Sequence, residues 1–183
     1  MEDKQNNLIK SLLIQPLIVV IRLEDQFFNI SKKREDLFLK IEKLSSYGIK
    51  NIEIGWDSNP QWVNLISEIR DNFQSINIGV ASIKSKQSLE TILPLNLNYS
   101  MSPYFNKEIH LQAIKYNQLV IPGISNIENF KEAISLGYKI IKIFPVSKLG
   151  FNFINELNDL KKRDIFFIGA GGIKSKNLKK LLK

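Results

Sequence analysis

The chain has 183 residues, of which 44% are hydrophobic, and this length and apolar content fit one globular domain over residues 1–183. The absence of cysteine excludes disulfides and thiolate metal sites. The single histidine, His110, argues against histidine metal clusters and a Ser-His-Asp triad, and we expect it on a solvent-facing helix. The formal net charge of +8 comes from scattered lysines and arginines without interleaved aromatic residues, so it favours small anionic substrates over nucleic acid as partners.

The first segment, residues 1–7, is polar and unlike the apolar core of a signal peptide. No apolar stretch further along the chain approaches the roughly 20 residues that a membrane-spanning helix needs. We therefore expect a cytoplasmic protein without a membrane partner.

From residue 17 onward, short β-branched runs alternate with amphipathic segments. Seven runs have the pattern of strands: residues 17–22, 50–55, 76–82, 98–102, 119–122, 139–144 and 165–169. Seven segments have the pattern of helices: residues 34–46, 59–72, 85–93, 106–116, 126–136, 152–163 and 175–182. Seven successive β-α units predict an α/β fold with a parallel sheet, either an open doubly wound sheet or a TIM-type (β/α)8 barrel.

Polar residues and a glycine pair at the strand ends help to distinguish these two folds. The carboxyl ends of barrel strands converge on one mouth, whereas an open sheet usually carries a glycine-rich turn after its first strand. Residues 23–25, Leu-Glu-Asp, offer no such turn. The residues at the strand ends are Arg22, Glu53, Ser82, Ser102, Lys142, Gly171 and Gly172. Their spread over six strands favours the barrel.

Lys142 is a lone cation in the apolar run Ile-Ile-Lys-Ile-Phe-Pro, residues 140–145. Burial disfavours a charged amine and lowers its pKa, which makes the amine a better nucleophile toward a carbonyl carbon. Lys142 is therefore a candidate for Schiff-base formation. The alternative is a structural lysine whose ammonium reaches solvent at the strand end.

The motifs along these strands resemble those of one enzyme family. They are Ile-Glu-Ile at 52–54, Gly-Val-Ala-Ser at 79–82, Ser-Pro at 102–103, Ile-Pro-Gly-Ile-Ser at 121–125, Lys-Ile-Phe-Pro at 142–145 and Gly-Ala-Gly-Gly-Ile at 169–173. In order and spacing they resemble the bacterial 2-keto-3-deoxy-6-phosphogluconate (KDPG) aldolases, a family that includes 4-hydroxy-2-oxoglutarate (KHG) aldolases. The resemblance runs from about residue 16 to the C-terminus. It implies a (β/α)8 barrel and a class I, Schiff-base aldolase that needs no metal or other cofactor.

The resemblance also implies roles for individual residues. Lys142 matches the lysine that attacks the C2 ketone of a 2-keto acid, and Glu53 matches the general acid/base glutamate. Ser82 stands where the family usually has a threonine near the substrate carboxylate. Gly171 and Gly172 match a turn that helps to bind the substrate phosphate through backbone amides. The expected substrate-binding set is completed by Ser102, Pro103 and Phe144, which lie in the matching motifs.

Aldol cleavage explains why a lysine and a carboxyl group are needed. The broken bond leaves an electron pair at C3, and a protonated imine at C2 accepts this pair as an enamine. A carboxyl group moves protons during imine formation and C4-hydroxyl deprotonation, which works best when an apolar site raises its pKa toward neutrality. Ile52 and Ile54 flank Glu53 and are expected to provide such a site. The alternative is an ion pair that only neutralises buried charge.

The chain departs from the family pattern at three places. Asp57 stands where the family commonly has an arginine for the substrate carboxylate, and we expect Arg22 to supply the missing cation if it points into the mouth. Ala170 replaces a common threonine. The family continues into an eighth β-α unit with a Gly-Gly-Ser phosphate turn, which this chain lacks, so we expect unpaired edges on the first and seventh strands.

Three functions are compatible with these residues. The first is cleavage of KDPG, and of 4-hydroxy-2-oxoglutarate as a further substrate, to pyruvate plus an aldehyde by a homo-oligomer, a trimer by family resemblance. The second is a catalytically impaired remnant that binds an anionic metabolite or acts only as an assembly subunit. The third is an isomerase or epimerase on the same barrel, which would use Glu53 and Lys142 for proton transfer.

Overall fold

The computed structural model describes residues 1–160 and 164–173, so the helix expected at 175–182 lies outside the described residues. The strands are β1 Val19–Ile21, β2 Asn51–Gly55, β3 Asn77–Ala81, β4 Tyr99–Met101, β5 Val120–Ile121, β6 Gly123–Ile124, β7 Ile140–Ile143 and β8 Phe166–Gly169. The helices are α1 Glu2–Ile14, α2 Ser31–Ser46, α3 Trp62–Asn72, α4 Lys86–Ile92, α5 Lys107–Lys115, α6 Ile127–Ser135 and α7 Val146–Leu160, with short 3-10 helices at Phe27–Asn29 and Leu93–Leu95. Within this part of the chain, no helix is both long and apolar enough to cross a membrane.

The strands pair in parallel and follow one another in chain order. β1 to β5 form one sheet and β6 to β8 form a second. The sheets meet at Pro122, which has no N–H to donate and separates β5 from β6. Its carbonyl still accepts the Lys142 N–H at 2.9 Å, so hydrogen bonding to β7 continues across the break. β5 lies within the predicted fifth strand at 119–122, and β6 extends that strand beyond its predicted end. The seven predicted strands of the barrel are confirmed.

The first and last strands of the barrel each have one free edge among the described residues. There, β1 pairs only with β2, and β8 pairs only with β7. Val20 lies in register with Glu53 and remains 45% exposed, although it belongs to a strand. The expectation of unpaired edges is confirmed for the part of the chain that the structure describes.

Side-chain alternation along β2 separates the outer core from the barrel interior. Ile52 and Ile54 pack outward in one apolar cluster with Leu65 and Ile69 of α3. Glu53, between the two isoleucines, therefore faces the barrel interior. A second cluster packs α6 and α7 against the other sheet, and this pairing of helices with strands fixes the direction in which each catalytic candidate points.

The helix α1, which the sequence pattern does not predict, is tied to the amino-terminal ends of the strands. Leu8 and Leu12 are buried in the second cluster. Gln5 donates to the Gly137 carbonyl at 3.2 Å and accepts the Lys139 N–H at 2.7 Å. The polar residues that make this segment look unstructured in the sequence thus satisfy backbone groups at the start of β7.

His110 lies on the buried face of α5, so the expectation of a solvent-facing position is wrong. Its Nδ1 lies 2.9 Å from the Tyr138 hydroxyl, and its Nε2 lies 3.3 Å from Ser102 Oγ. The ring also stacks on Phe105, with 5.0 Å between centroids. Burial lowers the pKa of His110 to about 4, so the ring is neutral at pH 7. A neutral ring that is paired with two hydroxyls can be buried at little cost.

The segment α7, Val146–Leu160, consists of two helical parts separated at Gly150, and the second part begins close to the predicted start at residue 152. It follows the cis peptide bond between Phe144 and Pro145. Gly150 interrupts the helix with a φ of 74°, and this glycine gives the segment the pattern of a loop in the sequence. The first helical part, which the sequence pattern does not predict, places Ser147 beside the glycine turn that follows β8. Residues 161–163, the end of the predicted helix, lie outside the described residues.

Candidate active site

The two residues predicted to be catalytic face each other inside the carboxyl end of the barrel. Glu53 lies on β2 and Lys142 lies on β7, so the chain supplies them from opposite sheets. The charge of each residue shifts the pKa of the other. The structure therefore brings together two groups that are 89 positions apart in the sequence.

Glu53 is almost completely enclosed, with 1% of its surface exposed. Its Oε1 is buried and has no hydrogen-bond partner in the described part of the chain. Burial raises the pKa of Glu53 to about 7, although the positive charges of Lys142 and Arg22 act in the opposite direction. A carboxyl group with this pKa is able both to give and to accept a proton near neutral pH.

Lys142 is also buried, with 8% of its surface exposed. Its Nζ lies 5.3 Å from the centroid of the Phe144 ring. Burial lowers the pKa of Lys142 and the nearby Arg22 charge adds to this effect, while the Glu53 charge opposes it. A lowered pKa increases the fraction of neutral amine, which is the form that attacks a carbonyl carbon.

Arg22 follows β1 and points toward the mouth of the barrel. Its charge acts on both catalytic candidates, and its Nη1 donates to Ser82 Oγ at 3.4 Å. Ser82, after β3, has a φ of 71°, a strained conformation for a residue with a side chain. Asp57 is engaged locally, because its Oδ1 accepts the Asn59 N–H at 2.7 Å. Arg22 thus lies near both catalytic candidates, and its contact with a substrate carboxylate stays a prediction.

The Gly171-Gly172 turn packs against the segment that joins β7 to α7. Both glycines have positive φ, 84° and 75°. A Cβ on Gly171 would lie 2.9 Å from the Phe144 ring, and a Cβ on Gly172 would lie 2.2 Å from Ser147 Oγ. Only glycine fits this approach, and it places the turn at the same mouth as Lys142.

Ser102 and Pro103 are placed differently from the other predicted site residues. The Ser102 hydroxyl is buried and directed toward α5, where it meets His110. It also donates to the Ile121 carbonyl at 3.3 Å and accepts the Gly123 N–H at 3.3 Å. The Pro103 carbonyl approaches the α-carbon of Gly123 so closely that a Cβ there would lie 2.6 Å from it. Ser102 and Pro103 thus shape the break between β5 and β6, and a direct substrate contact stays a prediction.

The sequence interpretation missed Tyr99, a fully buried residue of β4 that lies beside Glu53 inside the barrel. A signal exists in the sequence, because Gly79 interrupts an apolar strand at the position where space for a large neighbour is needed. In residues 1–160 and 164–173, no group of three His, Cys, Asp or Glu side chains is arranged to hold a metal ion. Metal-independent chemistry stays a prediction.

Residues 10–183 match the sequence profile of the family described as KDPG and KHG aldolase. Over 132 residues the chain is 26% identical to the 2-dehydro-3-deoxy-6-phosphogalactonate aldolase of Escherichia coli (strain K12). This match spans 72% of the chain and 64% of that relative. The chain covers less than two thirds of the length of the curated relatives that it matches.

Two solved structures share the fold. The 2-keto-3-deoxy-6-phosphogluconate aldolase of Zymomonas mobilis ZM4, with 3-phosphoglycerate, superposes with a TM-score of 0.82 at 18% identity over 98% of this chain and 81% of that chain. The KDPG aldolase from Legionella pneumophila, with pyruvate captured at low pH as a covalent carbinolamine intermediate, gives a TM-score of 0.77 at 22% identity over 91% of this chain and 77% of that chain. At these identities the likeness shows the aldolase barrel fold. Because the family profile matches nearly the whole chain, the protein belongs to the KDPG and KHG aldolase family.

Proposed function

We propose that this protein is a class I aldolase that cleaves KDPG, and 4-hydroxy-2-oxoglutarate as a further substrate, to pyruvate and an aldehyde. The observation that carries the proposal is the buried pair of Lys142 and Glu53, whose pKa values burial moves toward neutrality from opposite sides. Membership of the aldolase family supports it, and so do the names of the relatives, which act on closely related phosphorylated sugar acids.

The first half of the reaction uses Lys142 as the nucleophile. Its neutral amine attacks the C2 ketone to give a carbinolamine, and Glu53 donates a proton to the departing hydroxyl, which leaves as water. The product is a protonated imine between Nζ and C2. Glu53, now ionised, is ready to accept a proton.

The second half breaks the bond between C3 and C4. Glu53 takes the proton from the C4 hydroxyl, the C4 oxygen forms the aldehyde carbonyl, and the electrons of the broken bond move into the imine as an enamine. Protonation of the enamine at C3 and hydrolysis of the resulting imine release pyruvate and restore Lys142. The steps need no external oxidant or reductant.

Substrate contacts are proposed for the residues around this pair. Arg22 binds the carboxylate next to C2, and Ser82, to which Arg22 donates, adds a hydroxyl. The backbone amides of Gly171 and Gly172 bind the phosphate, which their positive φ angles favour because they form a concave turn. Phe144 covers the Lys142 amine, while Ser102 and Pro103 hold the neighbouring strand break.

Homotrimer assembly, a cytoplasmic location and a single domain over residues 1–183 belong to the same proposal. They rest on the family resemblance and on the sequence, and the edge of β1 that no other described strand pairs with gives a physical reason for a partner. Light scattering coupled to size exclusion tests the assembly, since a monomer at micromolar concentration would contradict it.

Borohydride trapping tests the Schiff base directly. Incubation of the protein with pyruvate and borohydride should reduce the imine to a stable amine, and peptide mass spectrometry should place the adduct on Lys142. Lys148, an exposed lysine on α7, provides the matched control, because Lys148→Arg should leave trapping unchanged and Lys142→Arg should abolish it. Absence of an adduct on Lys142 would contradict the aldolase mechanism and favour a non-catalytic remnant of the family. Turnover of a sugar phosphate without pyruvate would instead indicate an epimerase.

A further inference from the structure

Tyr99 is buried next to the proposed active site but takes no part in the chemistry described above. In the strand register, Gly79 of β3 lies between Tyr99 of β4 and Glu53 of β2. A Cβ at Gly79 would lie 2.5 Å from the Cε2 and Cζ atoms of Tyr99. The aromatic ring therefore lies across Gly79 and extends from β4 toward β2.

The hydroxyl end of Tyr99 reaches β2 at the residue before the catalytic glutamate. Its Oη donates to the Ile52 carbonyl at 3.3 Å. Ile52 lies between Asn51 and Glu53, whose side chains share the inner face of β2. Along the barrel axis, the hydroxyl end of the Tyr99 ring therefore lies between the side chains of Asn51 and Glu53. Burial raises the pKa of the Tyr99 hydroxyl, and the adjacent Glu53 charge adds to this effect.

On the other side of the ring lies the polar amino-terminal end of the barrel. Asn51 Oδ1 accepts from Ser11 Oγ and from Asn77 Nδ2, both at 2.9 Å. Asn98 donates to Asn77 at 3.1 Å. A cavity of about 310 Å³ lies at this end and is lined by Lys4, Asn7, Leu8, Asn77 and Asn98. A polar cavity of this size is large enough to hold water.

We propose that Tyr99 is a positioning residue that separates Glu53 from the water and amide groups at the amino-terminal end of the barrel, and that Gly79 makes the space for its ring. The proposal rests on the proposed function, because a carboxyl group shielded from water is what the proton-transfer steps require. The charged and titratable groups that face Glu53 are Lys142 on β7, Arg22 after β1 and Tyr99 itself. Both cations favour the ionised carboxylate, so exclusion of water has to outweigh them.

The pKa of Glu53 in the unliganded protein provides the test. An infrared titration follows the carbonyl band of the protonated carboxyl group, which is assigned by its loss in Glu53→Gln. Tyr99→Leu shortens the side chain so that it no longer reaches Ile52, and admission of water should lower the pKa of Glu53 by about one unit or more. Tyr99→Phe keeps the ring and should leave this pKa within about half a unit of the wild-type value.

Two further variants separate water entry from general loosening of the core. Gly79→Ala places a methyl group where the ring lies and should reproduce the shift of Tyr99→Leu, so the test does not depend on one variant that folds. Phe130→Leu shortens a buried ring of the outer core, away from Glu53, and should leave the pKa of Glu53 unchanged.

A Glu53 pKa that stays at the wild-type value in both Tyr99→Leu and Gly79→Ala would overturn the proposal. An equal shift in Phe130→Leu would also overturn it, because the effect would then follow from loosening alone. The titration needs no substrate and no turnover. A failure of the aldolase assay therefore contradicts the proposed function, whereas a failure here contradicts only the role of Tyr99.

Discussion

The buried polar groups at the two ends of the barrel differ in their charge and in their hydrogen bonding. At the amino-terminal end, Asn51 Oδ1 accepts from Ser11 Oγ and Asn77 Nδ2, and Asn77 Nδ2 also donates to Ser11 Oγ, while the Asn51 Nδ2 group has no partner in the described part of the chain. At the carboxyl end, Glu53 Oε1 has no partner in the described part of the chain, and Lys142 lies over an aromatic ring. A buried charge without a hydrogen-bond partner costs more free energy than a buried neutral amide without one. The buried groups of the carboxyl end therefore cost more stability than those of the amino-terminal end, which is typical of a site kept for chemistry.

Among substitutions that test this difference between the two ends, Lys142→Met at the carboxyl end should have the largest effect. Methionine has a similar length and no amine, so the aldolase rate should fall by at least about 10³-fold and trapping by borohydride should disappear. Stability toward urea should not decrease, because the variant no longer buries an amine. Lys148→Met is the matched control on the exposed side of α7 and should change neither rate nor stability. A variant at Lys142 that keeps more than a tenth of the rate would contradict the role of this residue.

The amino-terminal end is tested by removal of apolar surface from α1. Leu12 is 3% exposed, so Leu12→Ala should lower the free energy of unfolding by about 2–5 kcal/mol, measured by urea denaturation. Leu13, the next residue, is 69% exposed, and Leu13→Ala should change the free energy by less than about 0.5 kcal/mol. Equal effects of the two substitutions would mean that α1 does not contribute to the core of the barrel.

Most of the strand order and the burial of Lys142 and Glu53 inside the barrel can be predicted from the sequence, for a physical reason. Parallel strands that are buried on both faces read as continuous apolar runs, so Lys142 and Glu53 stand out as interruptions. Residues that belong at the barrel mouth can be recognised because strand ends converge there.

The parts that the sequence does not predict depend on contacts between distant residues. The position of α1 depends partly on Gln5, Ser11 and the following Gln15, whose side chains bond to groups near the starts of other strands. No local sequence pattern reports such bonds. His110 looks like a surface residue because its partners, Ser102 and Tyr138, lie 8 and 28 positions away. The Tyr99 ring is matched to Gly79 across a strand pair, so Gly79 marks a space in the sequence but does not identify the distant residue that fills it.

His110 extends the comparison to a buried, hydrogen-bonded group whose burial favours its neutral form. Its folded pKa of about 4 lies below its ordinary value near 6.5, so the unfolded chain binds a proton between these values and the folded protein does not. Stability should therefore fall as the pH drops from about 6.5 to 4, by about 3 kcal/mol from this group.

Urea denaturation at pH 7 and pH 4.5 measures the effect by comparison of the wild type with His110→Gln. The wild type should lose more free energy of unfolding on acidification than the variant, since glutamine does not titrate. Tyr138→Phe is the control, because it removes a hydroxyl partner of the ring and leaves the titrating group in place. Identical pH slopes for the wild type and His110→Gln would contradict the lowered pKa.

The smallest effect is expected from Glu53→Gln, and its size depends on pH. The folded pKa of about 7 lies above the ordinary value near 4.5, so the folded protein binds a proton in this range that the unfolded chain has released. The contribution of Glu53 to stability is therefore fully present below about pH 4.5 and is lost as the pH rises through 7. At pH 8 the wild type buries a carboxylate, so the free energy of unfolding of Glu53→Gln should be higher than that of the wild type by about 1–2 kcal/mol. Part of the gain is offset because Lys142 loses the negative charge that faces it.

At pH 5 the difference between Glu53→Gln and the wild type should nearly vanish, because both then bury a neutral group of similar shape. Glu42→Gln, on the exposed face of α2, should show no difference at either pH. A gain in the free energy of unfolding at pH 8 that is absent at pH 5 would show that the stability lost at the carboxyl end comes from the negative charge of Glu53. If the wild type and Glu53→Gln were equally stable at both pH values, the charges of Glu53 and Lys142 would offset the cost of each other's burial. The two ends of the barrel would then not differ in the stability that their buried polar groups cost.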